Sequence, residues 1–163
     1  MQRRALIPLL GALLLTGCGF ELRREPEFQF QTVALVGFRN NSPMAEELRR
    51  QLERGSLKIV ADPSKAQVVL EAKRDTRERS VVVSTTAGQV REWQLKLELD
   101  YLARTPGEEL LLPLTELHMS RELTYLESQA LAKEQEEAQL YRAMQYDAAA
   151  QVMRRLAKIH FPT

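Results

Sequence analysis

One cysteine in 163 residues leaves nothing from which to build a disulfide framework or a cysteine metal cluster. After Leu15 no apolar run is long enough to span a bilayer, which excludes a membrane helix from the body of the chain. Basic residues never gather into a long run, and 23 Lys and Arg against 22 Asp and Glu give no argument for nucleic acid. Internal repeats and low-complexity segments are absent, as are the HExxH, Walker-type, GxSxG and GxGxxG patterns. The two histidines, His118 and His160, lie far apart with no ligand-like spacing around them. The carboxylates fall on faces that read as wet surface. No catalytic site, metal or cofactor is expected, and the chain reads as a non-enzyme.

What is there begins at the N-terminus. Arg3 and Arg4 form a positive n-region, and Ala5 to Leu15 is an apolar h-region of signal-peptide length. Leu15-Thr16-Gly17-Cys18 has the lipobox order of an aliphatic residue, two small residues and cysteine. The small residues fit a peptidase that cuts ahead of a cysteine already carrying diacylglycerol on its thiol. Residues 1–17 are therefore expected to be a lipoprotein signal peptide, and Cys18 the mature N-terminus bearing S-diacylglycerol and an N-acyl chain such as palmitate. Two or three acyl chains anchor firmly where one binds only marginally. Gly19 follows, not an aspartate that would suggest inner-membrane retention, so the expected location is the inner leaflet of a cell outer membrane. Cleavage removes two of the basic residues and none of the acidic ones, leaving 21 against 22 in a chain near neutrality. That remainder is long enough for one domain with a real core.

The pattern beyond divides into a lipidated tether, 18–31, and a single domain, 32–163. Residues 19–31 are charged and contain Pro26. Thr32 to Phe38 reads as a first strand. Ser42-Pro43 starts a helix, with Glu46 and Glu47 suiting its positive end, Met44, Leu48 and Leu52 on one face, and Gly55 closing it. Leu57 to Ala61 is a short strand, followed by a turn at Asp62-Pro63-Ser64. Ala66 to Val83 is a long strand, apolar at both ends with a charged centre. A turn at Ser84 to Gly88 leads into the cleanest alternation in the chain. Trp93, Leu95, Leu97, Leu99 and Tyr101 point one way, and Glu92, Gln94, Lys96, Glu98 and Asp100 the other. After a turn at Thr105 to Glu108, Leu117, Met119, Leu123 and Tyr125 alternate similarly, with His118 on the solvated side. A long helix from about Ser128 to Ile159 carries the stripe Tyr141, Met144, Ala148, Val152, Leu156 and Ile159. Its first turns, Lys133 to Glu137, are almost wholly polar and are expected to project beyond the core. The order β-α-β-β-β-β-α predicts an α+β fold: a mostly antiparallel sheet of four to five strands with two helices on one face.

Two features invite a functional reading from the residues alone. The lone Trp93 reads as a core residue of its strand rather than as a ligand platform. The cluster Arg74, Arg77 and Arg79 reads either as a solvated strand face or as an anion contact, since arginine binds phosphate and carboxylate bidentately.

Several segments together resemble the LPS-assembly lipoprotein LptE family. Cys18-Gly19-Phe20-Glu21-Leu22-Arg23 resembles its CGF/W-x-LR start, and Gly88 to Leu95 resembles its turn followed by an E-[YW]-Q-[LM] strand. Arg121 to Tyr125, then Ala130-Leu131-Ala132-Lys133-Glu134, resembles its last strand running into an ALAK helix, which ends like Met144 to Asp147 with Arg154-Arg155-Leu156. The likeness runs in order from Cys18 to about Leu156. It implies a plug inside the large outer-membrane β-barrel LptD, which the plug helps assemble. It also implies binding of lipopolysaccharide on its way to the outer leaflet. It implies a lipid contact at Lys133. Where some relatives carry a basic residue at the hairpin turn, this chain has Thr85, Thr86 and Ala87, so Arg77 or Arg91 takes that part. Thr85 and Thr86 then become candidate contacts with the barrel. The alternative is an auxiliary lipoprotein of another periplasmic lipid-transport system. A blander reading of Lys133 pairs it with Glu137, one turn along the helix.

Cys18→Ser is expected to abolish acylation and leave unprocessed precursor or a differently cut soluble form. Metabolic labelling with a fatty acid measures this, and label on the Ser variant would contradict the lipobox assignment.

Overall fold

The computed structural model describes residues 27–161, so Cys18, the signal peptide and most of the tether lie outside the described residues. Five strands form one sheet in the order β2-β1-β3-β4-β5: β1 Thr32–Val36, β2 Lys58–Ile59, β3 Val68–Ser84, β4 Val90–Arg104 and β5 Leu110–Thr124. Strands β3, β4 and β5 make an antiparallel meander, whereas β1 runs parallel to both β2 and β3. Helices α1, Pro43–Arg54, and α2, Ala130–Leu156, cover one face. The expected α+β architecture is the observed one, with five strands.

Register decides which side chains meet the helices. Leu97 of β4 lies between Arg77 and Met119, and Leu99 between Asp75 and Leu117. Leu95, Leu97, Leu99 and Tyr101 are all at most 1% exposed and pack with Met44, Leu48 and Leu52 of α1 and with Met144, Ala148, Val152 and Leu156 of α2. Burying each such aliphatic side chain stabilises by about 1.5–3 kcal/mol. Among the described residues nothing is layered over the opposite face of β3–β5, which carries Arg74, Glu98, Glu116, His118 and Glu122. Asp100, expected on this wet face, is nonetheless buried, because Arg74 and His118 close over it at 3.2 and 3.5 Å.

Local chemistry sets the ends of the elements. Ser42 caps α1 by accepting from Ala45 N at 3.1 Å and donates to Asp75 of β3, which ties the helix start to the sheet. Gly37 has φ +77°, and a Cβ there would lie 2.2 Å from Ala72 O, so only glycine lets this loop pass so close to β3. Glu47, expected to serve the positive end of α1, is buried instead and accepts from Arg50 and Gln51.

Two features lie beyond the sequence pattern, and two expectations need correction. The last residues of the tether pack on the domain: Phe30 is 3% exposed, and its ring meets Phe28 and Phe161 edge-on. Helix α2 is shorter at both ends than 128–159, although Ile159 is still buried just beyond it. The second apolar end of β3 is not buried. Val81, Val82 and Val83 are 48, 51 and 43% exposed, because the hairpin runs past both helices. Finally, the polar start of α2 does not project freely: Lys133 and Glu137 are half-buried against the upper sheet.

Leu97→Ala should cost roughly 2–5 kcal/mol through the cavity it leaves, and Leu97→Asp more, through an unpaired buried charge. Glu98→Ala, which removes contacts to Arg74 and Thr76 on the open face, should cost no more than about 1 kcal/mol. Thermal unfolding of the three variants checks the order, and an earlier melt for Glu98→Ala would invert the assignment of faces.

Candidate functional site

Above the level of Leu95 the aliphatic core gives way to charges and rings. Period-two alternation splits the arginine cluster: Arg74 faces the open side, while Arg77 and Arg79, opposite Leu97 and Leu95, face α2. The Arg79 guanidinium sits 4.4 Å from the Trp93 ring centroid, and its Nη1 donates to Glu137 Oε2 at 2.8 Å. Tyr125 meets Trp93 edge-on at 6.3 Å. Arg77 lies over the Tyr141 ring at 5.1 Å, and the Tyr141 hydroxyl donates to Glu78 O at 2.7 Å. Burial first, and Glu137 second, push the Tyr141 phenol above its ordinary pKa, so it stays a neutral donor. Hairpin and helix are thus joined by cation–aromatic stacking and one ion pair, where lower down they are joined by leucine.

Two cavities flank the Arg79–Glu137 pair. The upper one, about 530 Å³, lies beneath the hairpin turn and is lined by Trp93, Leu123, Tyr125 and Lys133. The lower one, about 580 Å³, is lined by Arg39, Arg77, Ala138 and Tyr141. Arg79, Glu134 and Glu137 belong to both. Lys133 donates to Glu136 at 2.8 Å and to Thr124 Oγ1 at 3.3 Å, so its partner is the residue three along and not Glu137, which Arg79 holds. The hairpin turn above is closed by Thr85, whose N donates to Gln89 O at 2.8 Å and whose Oγ1 accepts from Gln89 N at 3.1 Å. Thr86 is exposed at its tip. Among the described residues no three His, Asp or Glu side chains gather to hold a metal ion.

Of the residues singled out from the sequence, Lys133 lines the upper cavity and Arg77 the lower. Arg91 is exposed and lines neither, and Thr85 and Thr86 stand at the turn outside both. Arg79 and Arg39 were not separately chosen. Arg79 was legible in part, since it shares the parity of Arg77 in a strand paired with Trp93's. Arg39 comes from the β1–α1 loop, and nothing in its neighbours marks it.

The chain also matches known proteins. The family model described as LptE, lipopolysaccharide-assembly, matches residues 30–156. The chain belongs to the LptE family. The LPS-assembly lipoprotein LptE of Pectobacterium atrosepticum is 30% identical over 98% of this chain and 89% of its own length. That of Yersinia pestis strain Pestoides F is 31% identical over 98% of this chain and 79% of its own. Among solved structures, a lipoprotein B of Nitrosomonas europaea superposes with a TM-score of 0.71 at 27% identity, covering 85% of this chain and 90% of that one. The rare lipoprotein B of Shewanella oneidensis, at 24% identity, has a TM-score of 0.64 over 78% and 94% of the two chains, a likeness of fold. The matched segment includes α1, the hairpin and all of α2, hence every residue of the two cavities.

Trp93 is the sole tryptophan, so its emission reports on the Arg79 stack. Arg79→Gln should change that emission while costing at most about 1–2 kcal/mol, because the ion pair is part-exposed and the stack is worth about 0.5–1 kcal/mol. Unchanged fluorescence would show that the guanidinium does not rest on the indole in solution.

Proposed function

We propose that this LptE-family chain is a non-enzymatic outer-membrane lipoprotein. It is anchored through acylated Cys18 in the inner leaflet, plugs and helps assemble the LptD β-barrel, and binds lipopolysaccharide through the cleft at the base of the hairpin. The observation that carries the reading is the upper cavity itself. A cationic ammonium, Lys133, and a guanidinium, Arg79, share one cleft with the rings of Trp93 and Tyr125. Such a lining suits a phosphorylated amphiphile, with charge for the phosphate and apolar surface for what the phosphate is attached to. The open face of the sheet supports the plug role, because a barrel lumen is polar and wet. No described helix is long and apolar enough to cross a membrane.

Both cations already have carboxylate partners, Glu136 and Glu137, and an incoming phosphate competes with them. Lys133 is only 14% exposed at its side chain, and its ammonium is held by Glu136 and Thr124. Attraction of this kind is screened over about 8–10 Å at physiological ionic strength, so binding weakens as salt rises. The exposed Val81, Val82 and Val83 and the uncharged turn at Thr85 and Thr86 form the surface offered to the barrel wall.

Lys133→Gln should lower lipopolysaccharide binding markedly and cost at most about 1 kcal/mol of stability, the worth of its part-exposed ion pair with Glu136. Titration of labelled lipopolysaccharide at two salt concentrations measures it, and wild-type affinity would end the lipid-contact assignment. Thr85→Asp with Thr86→Asp should reduce recovery of LptD in detergent pull-downs from outer membranes, since an aspartate still accepts from Gln89 N and the turn stays closed. Full recovery would place docking on another surface.

A further inference from the structure

We infer that the lower cavity is a second anion subsite, so that the groove between hairpin and α2 takes a lipid carrying two phosphate groups. This rests on the lipid-binding reading of the upper cavity. The two cavities are one groove divided by a single ion pair, since Arg79, Glu134 and Glu137 line both. A phosphate that draws Arg79 away from Glu137 removes the partition.

The lower cavity is also better prepared for an anion than the upper. Of the three arginines lining it, only Arg79 is in an ion pair among the described residues. Arg77 is oriented by the Tyr141 ring rather than by a carboxylate, and a stacked guanidinium keeps its fork of donors for a phosphate edge. Arg39 enters from a loop held in place on three sides. Gly37 passes against Ala72 O, Ser42 N donates to Arg39 O at 3.1 Å, and Ser42 is tied to Asp75. Glu134, exposed on the shared rim, and Glu137, once Arg79 leaves it, oppose an anion, and in the lower chamber Arg39 and Arg77, which have no ion pair among the described residues, offset them.

Trp93 emission of the acylated chain in detergent supplies the readout, with bisphosphoryl and monophosphoryl lipid A as probes. Wild type should bind the bisphosphoryl lipid roughly tenfold tighter, the gain of one further charge-assisted contact. Arg39→Gln with Arg77→Gln should erase that preference and leave monophosphoryl affinity unchanged, while Arg39→Lys with Arg77→Lys should keep part of it. Equal wild-type affinity for the two lipids would overturn the second subsite and leave the proposed function standing. Binding of neither lipid would overturn both. A preference that survives in the Gln variant would remove Arg39 and Arg77 from the site. Inorganic phosphate should fail to displace the lipid, and displacement at equal concentration would identify a free-phosphate site instead.

Discussion

Leu95, Leu97, Leu99 and Tyr101 form one row along the middle strand, and the positions of the other elements follow from keeping that row dry. With β3 and β5 paired on its two sides, only helices can cover it. Twelve residues of α1 reach one end of the row, and the C-terminal half of α2 lies along the rest. Both helices are therefore on one face, and the other face is free to be charged. The small residues Ala148 and Ala149, both fully buried, let α2 come close to α1 and the sheet. A slip of one residue in β4 would send the whole row to water and bring Lys96 and Glu98 inside, so this register is strongly specified.

The sheet is longer than its cover. That mismatch produces the cleft. Where α1 ends, the inner face of the hairpin would be an exposed apolar surface, and the chain instead places Arg77, Arg79, Trp93 and Tyr141 there. Stacked guanidiniums give this region packing without a dry core, and their outer edges remain able to bind anions. Past Ser80 even this cover stops, and three valines face solvent. An exposed run of β-branched residues is a liability in a free protein. A partner that encloses the hairpin removes the liability, which agrees with the plug reading.

The architecture was legible because its signals are local. The alternation through β4, the Ser42-Pro43 helix start and the 3.6-residue stripe of α2 each need only a few neighbouring residues. Length of cover is not local. Nothing in Val81-Val82-Val83 says whether a helix lies above it. Nor does the polar run Lys133 to Glu137 show that it rests on Arg79 and Thr124, because those partners come from strands far away in sequence. The Lys133–Glu137 pair of the blander reading is displaced by a tertiary competitor: Arg79 takes Glu137, and Lys133 turns to Glu136. The candidate site was half visible for the same reason. Lys133 came from resemblance, whereas its companion Arg79 needed the strand register, and Arg39 needed the loop.

Polarity along the long axis separates the site from the point where the described chain enters. Strand β1 begins beside the start of β3, since Val33 pairs with Val68, and Phe30 and Phe161 close that same end. The described chain therefore enters at the end opposite the hairpin. From Val68 to Arg79 is eleven residues of strand, about 36 Å at 3.3 Å each, and the turn at Thr85 is farther still. The hydrocarbon core of a bilayer is about 30 Å thick. A body standing along the membrane normal would hold its cationic cleft more than the thickness of a hydrocarbon core away from the point where the described chain enters. On the proposed function this length separates the leaflet of attachment from the level at which lipid is received. A shorter hairpin with the same residues would keep the chemistry and lose the position.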